Sequence, residues 1–578
     1  MNRPEITKHP TKTKARHQFH RFKIFSTANH LTSTIDLPLK KSTVKDASNN
    51  KKKKAATADF DTSIRSSAGL QSLKLAFQSA SILISIGLLI FMSLAAWGAT
   101  KNAMNNYWQV ITFTMVTLLI FGLCYAFSNL IGQKSFMFFV GILLVIALIK
   151  IFFISIYAIH PTSDFFNYHY FAFARSSGIA WTKKLVGVNM YFPHVMNIAM
   201  FYSIPYSLIG TNYVTSQIVN IALTFFDGIL IYKICLRIFN QQAGMFAALI
   251  FSLIPAYFMY STLNGAEPMF ITAFLGMLLA FQTFIRRDNS SSSTKWVASF
   301  RDLAILSVIT YMIRPTIGIW IIVGFLYILL IRWPYKVPVK FQMKRLLYFG
   351  GFTLFFVLFS IFSSAIFSQA YKINFASDSV NNRYSLATGT SLATDGQYNQ
   401  KIYNKLDKDF KDSSSTAEIN QKATKDMNAQ VKANISEITR EKAWPKFISN
   451  KYAAFSNENY GYNWILYNTW NKNKLKKPFV ESQSALVSFS TIFYEFMIIL
   501  SILTMSLILL FRHRVNESMS TLNRVFYLSL LLDGFILGSM IFEVQGRYHV
   551  ILYIPLVMIL GLGAKILGER QNHLTVRL

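Results

Sequence analysis

The chain is poor in cysteine, proline and charge. Its 578 residues include 2 Cys and 14 Pro, and charged residues make up 15%. A soluble chain carries about a quarter charged residues. Both cysteines, Cys124 and Cys235, fall inside long apolar runs and read as small core residues, so no disulfide and no thiolate metal site is available to a domain outside those runs. Acids are scarcer still, with 26 Asp+Glu against 58 Lys+Arg. No helix-sized repeat signals the inverted halves of a transporter.

What is present is hydrophobic. Apolar residues make up 52% of the chain, with 52 Phe, and they gather into nearly uncharged blocks. Blocks of about 20 such residues cross the roughly 30 Å hydrocarbon layer as helices. The expected fold is therefore an all-α polytopic membrane protein of about twelve spans with one soluble domain outside the membrane. The spans are read at Ala76–Trp97, Val110–Leu130, Phe136–Ile159, Tyr213–Leu236, Ala243–Thr262, Pro268–Ile285, Trp296–Ile313, Thr316–Ile331, Leu346–Ser368, Ala485–Phe511, Leu522–Phe542 and Val550–Leu567.

Basic residues orient this array. Placing the Lys-rich first 75 residues, with their run Lys51–Lys54, in the cytoplasm also puts Lys134, Lys233, Arg237, Arg286, Arg287, Arg332, Lys336, Lys344, Arg345, Arg512 and Arg514 there. Both termini are then cytoplasmic. Crossing at Phe192–Ile209 would reverse the sign for Lys233, Arg237 and Arg286, so that segment reads as an amphipathic helix lying at, or dipping into, the outer surface. The basic tail suits an anionic leaflet; no folded reader domain accompanies it, so nucleic acid is not an expected partner.

The chain divides into a basic, unstructured tail (1–75), two leading spans (76–135), a membrane core (136–368) with an outer loop at 160–212, an outer domain (369–484), a last group of spans (485–567) and a short cytoplasmic tail (568–578). In the outer domain, Lys401–Trp444 reads as polar helix without a core face. Asn381–Tyr398 and Phe455–Trp470 mix aromatics with amides, which fits carbohydrate or headgroup contact and equally fits docking on the membrane.

Ionisable groups collect at the outer ends of spans. Asp164 and Tyr168 lie one helical turn apart after Pro161, and Tyr191-Phe192-Pro193-His194 opens the surface helix. Asn264-Gly265-Ala266-Glu267-Pro268 and Arg314-Pro315 make two outer turns. Glu543, Arg547, Tyr548 and His549 share the last outer loop. Two readings of Asp164 stand at this point, a helix cap and a catalytic carboxylate. Asp227 and Asp533 lie mid-span and must face the bundle interior.

These residues, in this order and on one side, resemble the GT-C membrane glycosyltransferases over about residues 136–567. The bacterial branch similar to protein O-mannosyltransferases and aminoarabinose transferases is the nearer likeness. The segment Ala387-Thr388-Gly389…Asp395-Gly396-Gln397-Tyr398 fits it as well. Two spans and a tail precede the family's usual start, and Asp164 is followed by Phe165 where many relatives carry a second acid.

The resemblance implies transfer of a sugar from a polyprenyl-phosphate donor to a cell-envelope polymer, lipid or protein, on the outer face of a bacterial plasma membrane. The phosphate leaves as a stable anion, so fixed cations serve better than an acid, and Arg314 and Arg547 can pair with its oxygens. Asp164, with Glu267 second, is the expected base of an inverting displacement. Tyr168, His194, Glu543, Tyr548 and His549 are the expected binding residues. The sequence demands no cofactor, and a divalent metal stays open. Rival classes are a transporter or flippase of lipid-linked saccharides, lined by Asp227 and Asp533, and a polymerase of lipid-linked units.

Overall fold

The computed structural model describes residues 50–100, 106–130, 136–157, 159–287, 291–331, 339–469, 474–510 and 518–575. Five of the orienting cations, Lys134, Arg332, Lys336, Arg512 and Arg514, lie outside the described residues, as does the tail before residue 50. The helices run α1 (Asn50–Thr100), α2 (Tyr107–Leu130), α3 (Phe136–Ile156), α4 (Ser163–Ser176), α5 (Lys183–Val186), α6 (Pro193–Ile209), α7 (Tyr213–Ile238), α8 (Gln241–Leu253), α9 (Pro255–Tyr260), α10 (Glu267–Ile285) and α11 (Ser293–Ile313). There follow α12 (Gly318–Ile331), α13 (Val339–Tyr371), α14 (Asp378–Gly389), α15 (Gln400–Lys411), α16 (Thr416–Arg440), α17 (Trp444–Phe455), α18 (Tyr460–Asn468), α19 (Lys476–Glu481), α20 (Gln483–Leu510), α21 (Ser518–Ile541) and α22 (Val550–Thr575). Among the described residues no strand forms; one antiparallel bridge joins Ile159 to Thr469.

Ten of these helices are long and apolar enough to cross a membrane: α1, α2, α3, α7, α10, α11, α13, α20, α21 and α22. They match ten of the twelve expected spans. The other two expected spans are helical but shorter. Pro255 divides Ala243–Thr262 into α8 and α9, because it brings no N–H and pushes Ile254 to an extended ψ of 114°. The Arg314-Pro315 turn shortens the next one to α12. The first helix also starts earlier than expected: α1 includes 50–75, a stretch read above as unstructured tail, where Lys and Ala are good helix formers.

Large apolar side chains such as Ile111, Met115, Leu118, Leu119 and Leu123 of α2 stand outward. Such a surface is untenable in water and natural in lipid. The centre of the bundle is α22, whose residues from Val550 to Leu562 are almost all buried. Polar side chains tie the helices where lipid offers no driving force for association. Gln78 donates to Asn523 at 2.6 Å, and Ser81 and Ser85 donate to the two oxygens of Asp533 at 2.9 and 2.6 Å. Asp227 accepts from Thr272 at 2.5 Å. Both mid-span acids therefore face the interior.

Three readings of the outer segments change. Helix α6 turns its polar atoms inward, with Tyr202 donating to Asn220 at 2.9 Å and Tyr206 OH 2.6 Å from His169. Its exposed residues are Ile204, Ser207, Leu208 and Ile209, so its outward face is mainly apolar and its polar side is turned into the protein. Helices α15 and α16 do have a core face, built by Ile402 and Leu406 against Ile419, Ala423 and Met427, with Val380, Tyr384 and Ala387 of α14. The segment 369–484 is also not one self-contained unit. Its α17 and α18 join the main core, and Gly461 lies so close to α9 that a Cβ there would sit 2.2 Å from the Ala256 carbonyl oxygen.

Candidate functional site

Asp164 opens the first turn of α4, yet it caps nothing. The N-cap is Thr162, which makes no side-chain cap bond. That residue is held instead by Asn468 of α18, whose Oδ1 accepts from the Thr162 backbone at 2.8 Å and hydroxyl at 3.1 Å. Freed from capping, the Asp164 carboxylate receives Arg547 NH2 at 2.7 Å. Residues 383 positions apart thus form one ion pair, and the bland reading of Asp164 as a helix cap falls.

Glu267 begins α10 and is fixed by a polar turn. Asn220 of α7 donates to the carbonyls of Leu263 and Gly265 at 2.7 and 2.9 Å, and Asn264 donates to the Phe165 carbonyl of α4 at 2.9 Å. The turn carrying Glu267 is therefore locked to the helix carrying Asp164. The Glu267 carboxylate accepts from Tyr260 and from Arg314, and Arg547 Nε lies 3.8 Å away. Only 4% of its side chain is exposed. Arg314, at the end of α11, stands over the Tyr548 ring at 4.7 Å, and the Arg547 guanidinium lies over Trp464 at 4.8 Å.

The last loop is clamped by the end of α14 and the segment that follows it. Glu543 N donates to Ser385 O at 2.9 Å and Val544 N to Gly396 O at 3.0 Å. Gly389 makes the crossing possible, since a Cβ would lie 2.3 Å from the Phe542 carbonyl carbon. Within the loop, Arg547 Nε donates to Gln545 Oε1 at 2.9 Å, and Gln545 donates to Glu543 at 2.8 Å. Tyr548 OH reaches Glu543 at 3.5 Å.

Electrostatics separate the groups of this cleft. Burial works to raise the Asp164 carboxyl, but the charge and hydrogen bond of Arg547, with Arg314 behind, hold it below the ordinary carboxylate range. Burial pushes Glu543 up instead. Burial, then the charge of Arg314, lower His194 to about 4, so it is neutral near pH 7. His194 Nδ1 is buried and meets no hydrogen-bond partner among the described residues. Tyr168 is buried at 3% exposure within the electrostatic reach of Asp164, Arg547, Arg314 and Glu267.

So Asp164, Glu267, Tyr168, His194, Arg314, Glu543, Arg547 and Tyr548 converge. His549 does not. Its Nδ1 meets the Phe455 carbonyl at 2.6 Å and its Nε2 meets Glu458 at 2.7 Å, in a fully buried network with Tyr553. Two positions along a three-residue-per-turn helix point to different sides, which is why His549 leaves the cleft that Arg547 enters.

No family model, no curated protein and no solved structure matches this chain. The cleft must be read from its own chemistry.

Sequence reasoning passed over Tyr260, Trp464, Glu458 and Lys150. Lys150 carried a signal, being the one charge inside the 21-residue helix α3. It is buried and donates to Thr224 at 3.1 Å and Ser261 at 2.8 Å. Among the described residues no group of three or more His, Cys, Asp or Glu is placed to hold a metal ion. Asp164 and Glu267 are instead engaged by arginines, so these carboxylates do not form a donor set that fits a metal.

Proposed function

We propose that this protein is a membrane glycosyltransferase that moves a sugar from a polyprenyl-phosphate carrier to a hydroxyl of a cell-envelope acceptor on the outer face. The fold assigned to it is the GT-C type, with α8–α9 and α12 completing twelve passages and 369–484 outside. One observation supports this most: a carboxylate paired with an arginine, and a second arginine beside them, gathered from α4, α10, α11 and the last loop at the head of the central helix. A transfer from a phosphate leaving group needs fixed cations and one base, and that is the set present.

In this reading the phosphate oxygens bind Arg547 and Arg314. The acceptor oxygen attacks the anomeric carbon from the side opposite the phosphate. A new carbon–oxygen bond forms as the bond to phosphate breaks, the electron pair stays on the phosphate oxygen, and the hydroxyl proton passes to Asp164. Direct displacement inverts the anomeric centre. Glu267 is the weaker candidate for base, because Tyr260 and Arg314 already occupy its carboxylate. Tyr168, His194, Glu543 and Tyr548 are the residues assigned to contact the sugar and phosphate.

A transporter or flippase of lipid-linked saccharides needs a wet path. Asp227 and Asp533, its natural lining, are bonded to Thr272 and to Ser81 and Ser85 between helices. The cavity beside Lys150 measures about 10 Å3, room for a single water molecule. The deciding experiment places the purified protein in vesicles with a prenyl-phosphate donor labelled in the sugar, together with an envelope extract. The transferase reading expects label in a non-prenyl product and free prenyl phosphate. Label that crosses the bilayer still joined to prenyl phosphate overturns it in favour of a flippase. Label that accumulates as a repeating polymer on the lipid points to a polymerase.

A further inference from the structure

We infer that Asp164 is a stand-in anion for Arg547, displaced by the donor phosphate, so that it becomes an effective base only after the donor has bound. This rests on the transferase reading above. The two anions near Arg547 are held in different ways. Glu267 is 4% exposed and bound by Tyr260 and Arg314 as well, so it cannot leave. Asp164 is 39% exposed, and among the described residues its side chain accepts one hydrogen bond, from a guanidinium nitrogen of Arg547 at 2.7 Å. The other Arg547 contacts, Gln545 and the more distant Glu267 at Nε and the Trp464 and Tyr548 rings against the guanidinium, fix it whichever anion it faces. Exchanging Asp164 for a phosphate oxygen therefore breaks one partly exposed ion pair and leaves the rest of the cleft standing.

The exchange also retunes the carboxylate. Asp164 contacts Arg547 from the last loop. Within its electrostatic reach lie Arg314 from the end of α11, His194 from α6, Tyr168 on its own helix, Glu543 and Tyr548 from the last loop, and Tyr398 and Tyr403 from the outer segment. Glu267 of α10 shares its arginines. With Arg547 as its partner the carboxyl is a weak base. A phosphate monoanion on Arg547 cancels that cation and adds a negative neighbour, and both effects raise the proton affinity of Asp164. The acceptor hydroxyl then meets a stronger base only when a sugar is in place to receive it.

The test is binding of a short-chain prenyl phosphate to purified full-length protein in detergent. Asp164→Asn keeps the size of the side chain but removes the competing anion. It should bind the prenyl phosphate about fivefold tighter than wild type, the upper end for a partly exposed ion pair. In an Arg547→Gln background the same Asn substitution should leave binding unchanged, which separates exchange at Arg547 from general repulsion. Equal or weaker binding by Asp164→Asn overturns the stand-in role while leaving the transferase reading intact. Binding by neither protein overturns both. The pH profile gives a second measurement that needs no variant. Activity requires deprotonated Asp164, so kcat, which reports the donor-bound enzyme, should fall at a higher pH than kcat/KM, which reports the free enzyme. Coincident acid limbs contradict the inference.

Discussion

Glu267 shows how a single side chain holds the cleft together. It is 4% exposed and receives Tyr260, Arg314 and, more distantly, Arg547. Glu267→Gln keeps the shape but leaves the partly buried Arg314 without its buried anion, and loss of one partner of a well-buried pair costs about 3 kcal/mol, an upper figure here. Thermal unfolding of the purified variant in detergent should show a lowered midpoint; an unchanged midpoint would mean that the Arg314 pair contributes nothing. At this scale much was legible from sequence. Acids and arginines are conspicuous in so apolar a chain, and eight of the nine residues singled out meet in space. His549 lies near Arg547 in sequence but not in direction: its ring meets Glu458 and the Phe455 carbonyl. Lys150 was overlooked although a lone lysine in an apolar helix is itself a signal.

Elements were legible where one strong pattern dominated. The ten long apolar helices follow from block length alone, and their spans were read to within a few residues. Elements failed where a weak pattern was diluted. The i, i+4 pairs of α15 and α16 sit among so many Lys and Asn that the stripe is hard to see, yet Ile402, Leu406, Ile419, Ala423 and Met427 are buried. The contact of α18 with α9 left no periodic trace, because it depends on a missing side chain. Gly461 lets the two backbones meet, and a Cβ would lie 2.2 Å from the Ala256 oxygen. Gly461→Ala should displace α18, and overpacking of this kind costs about 1–3 kcal/mol. Because Asn468 and Trp464 of the same helix hold α4 and Arg547, transfer should fall along with stability. Wild-type melting and turnover in Gly461→Ala would show that the close approach is not needed.

At the scale of the whole molecule, α22 is the axis, and the cleft sits at its head where α4, α10, α11 and α18 meet. The cations used above for orientation acquire a second role. Arg345 is fully buried and donates to the carbonyls of Ile285 and Arg287 at 2.6 and 2.8 Å, while Arg286 donates to the Arg237 carbonyl and Arg237 to Thr283 at 3.0 Å. Cations at helix C-termini are stabilising in their own right, so a basic loop reports helix ends as well as membrane side. That overlap is why composition alone could order the spans yet left their surroundings open. Mid-span Asp533 binds Ser81 and Ser85 and joins the leading helix to the last ones, a structural tie that no local pattern announced. We propose that this architecture brings Asp164 to a phosphate-linked sugar. The most direct test is the rate of prenyl-phosphate release by purified wild type and Asp164→Asn, with donor and acceptor both saturating. Wild type should release prenyl phosphate, and the rate should fall roughly 10²–10⁴-fold in the folded, donor-binding Asn variant. Near-wild-type release by Asp164→Asn would contradict the proposal.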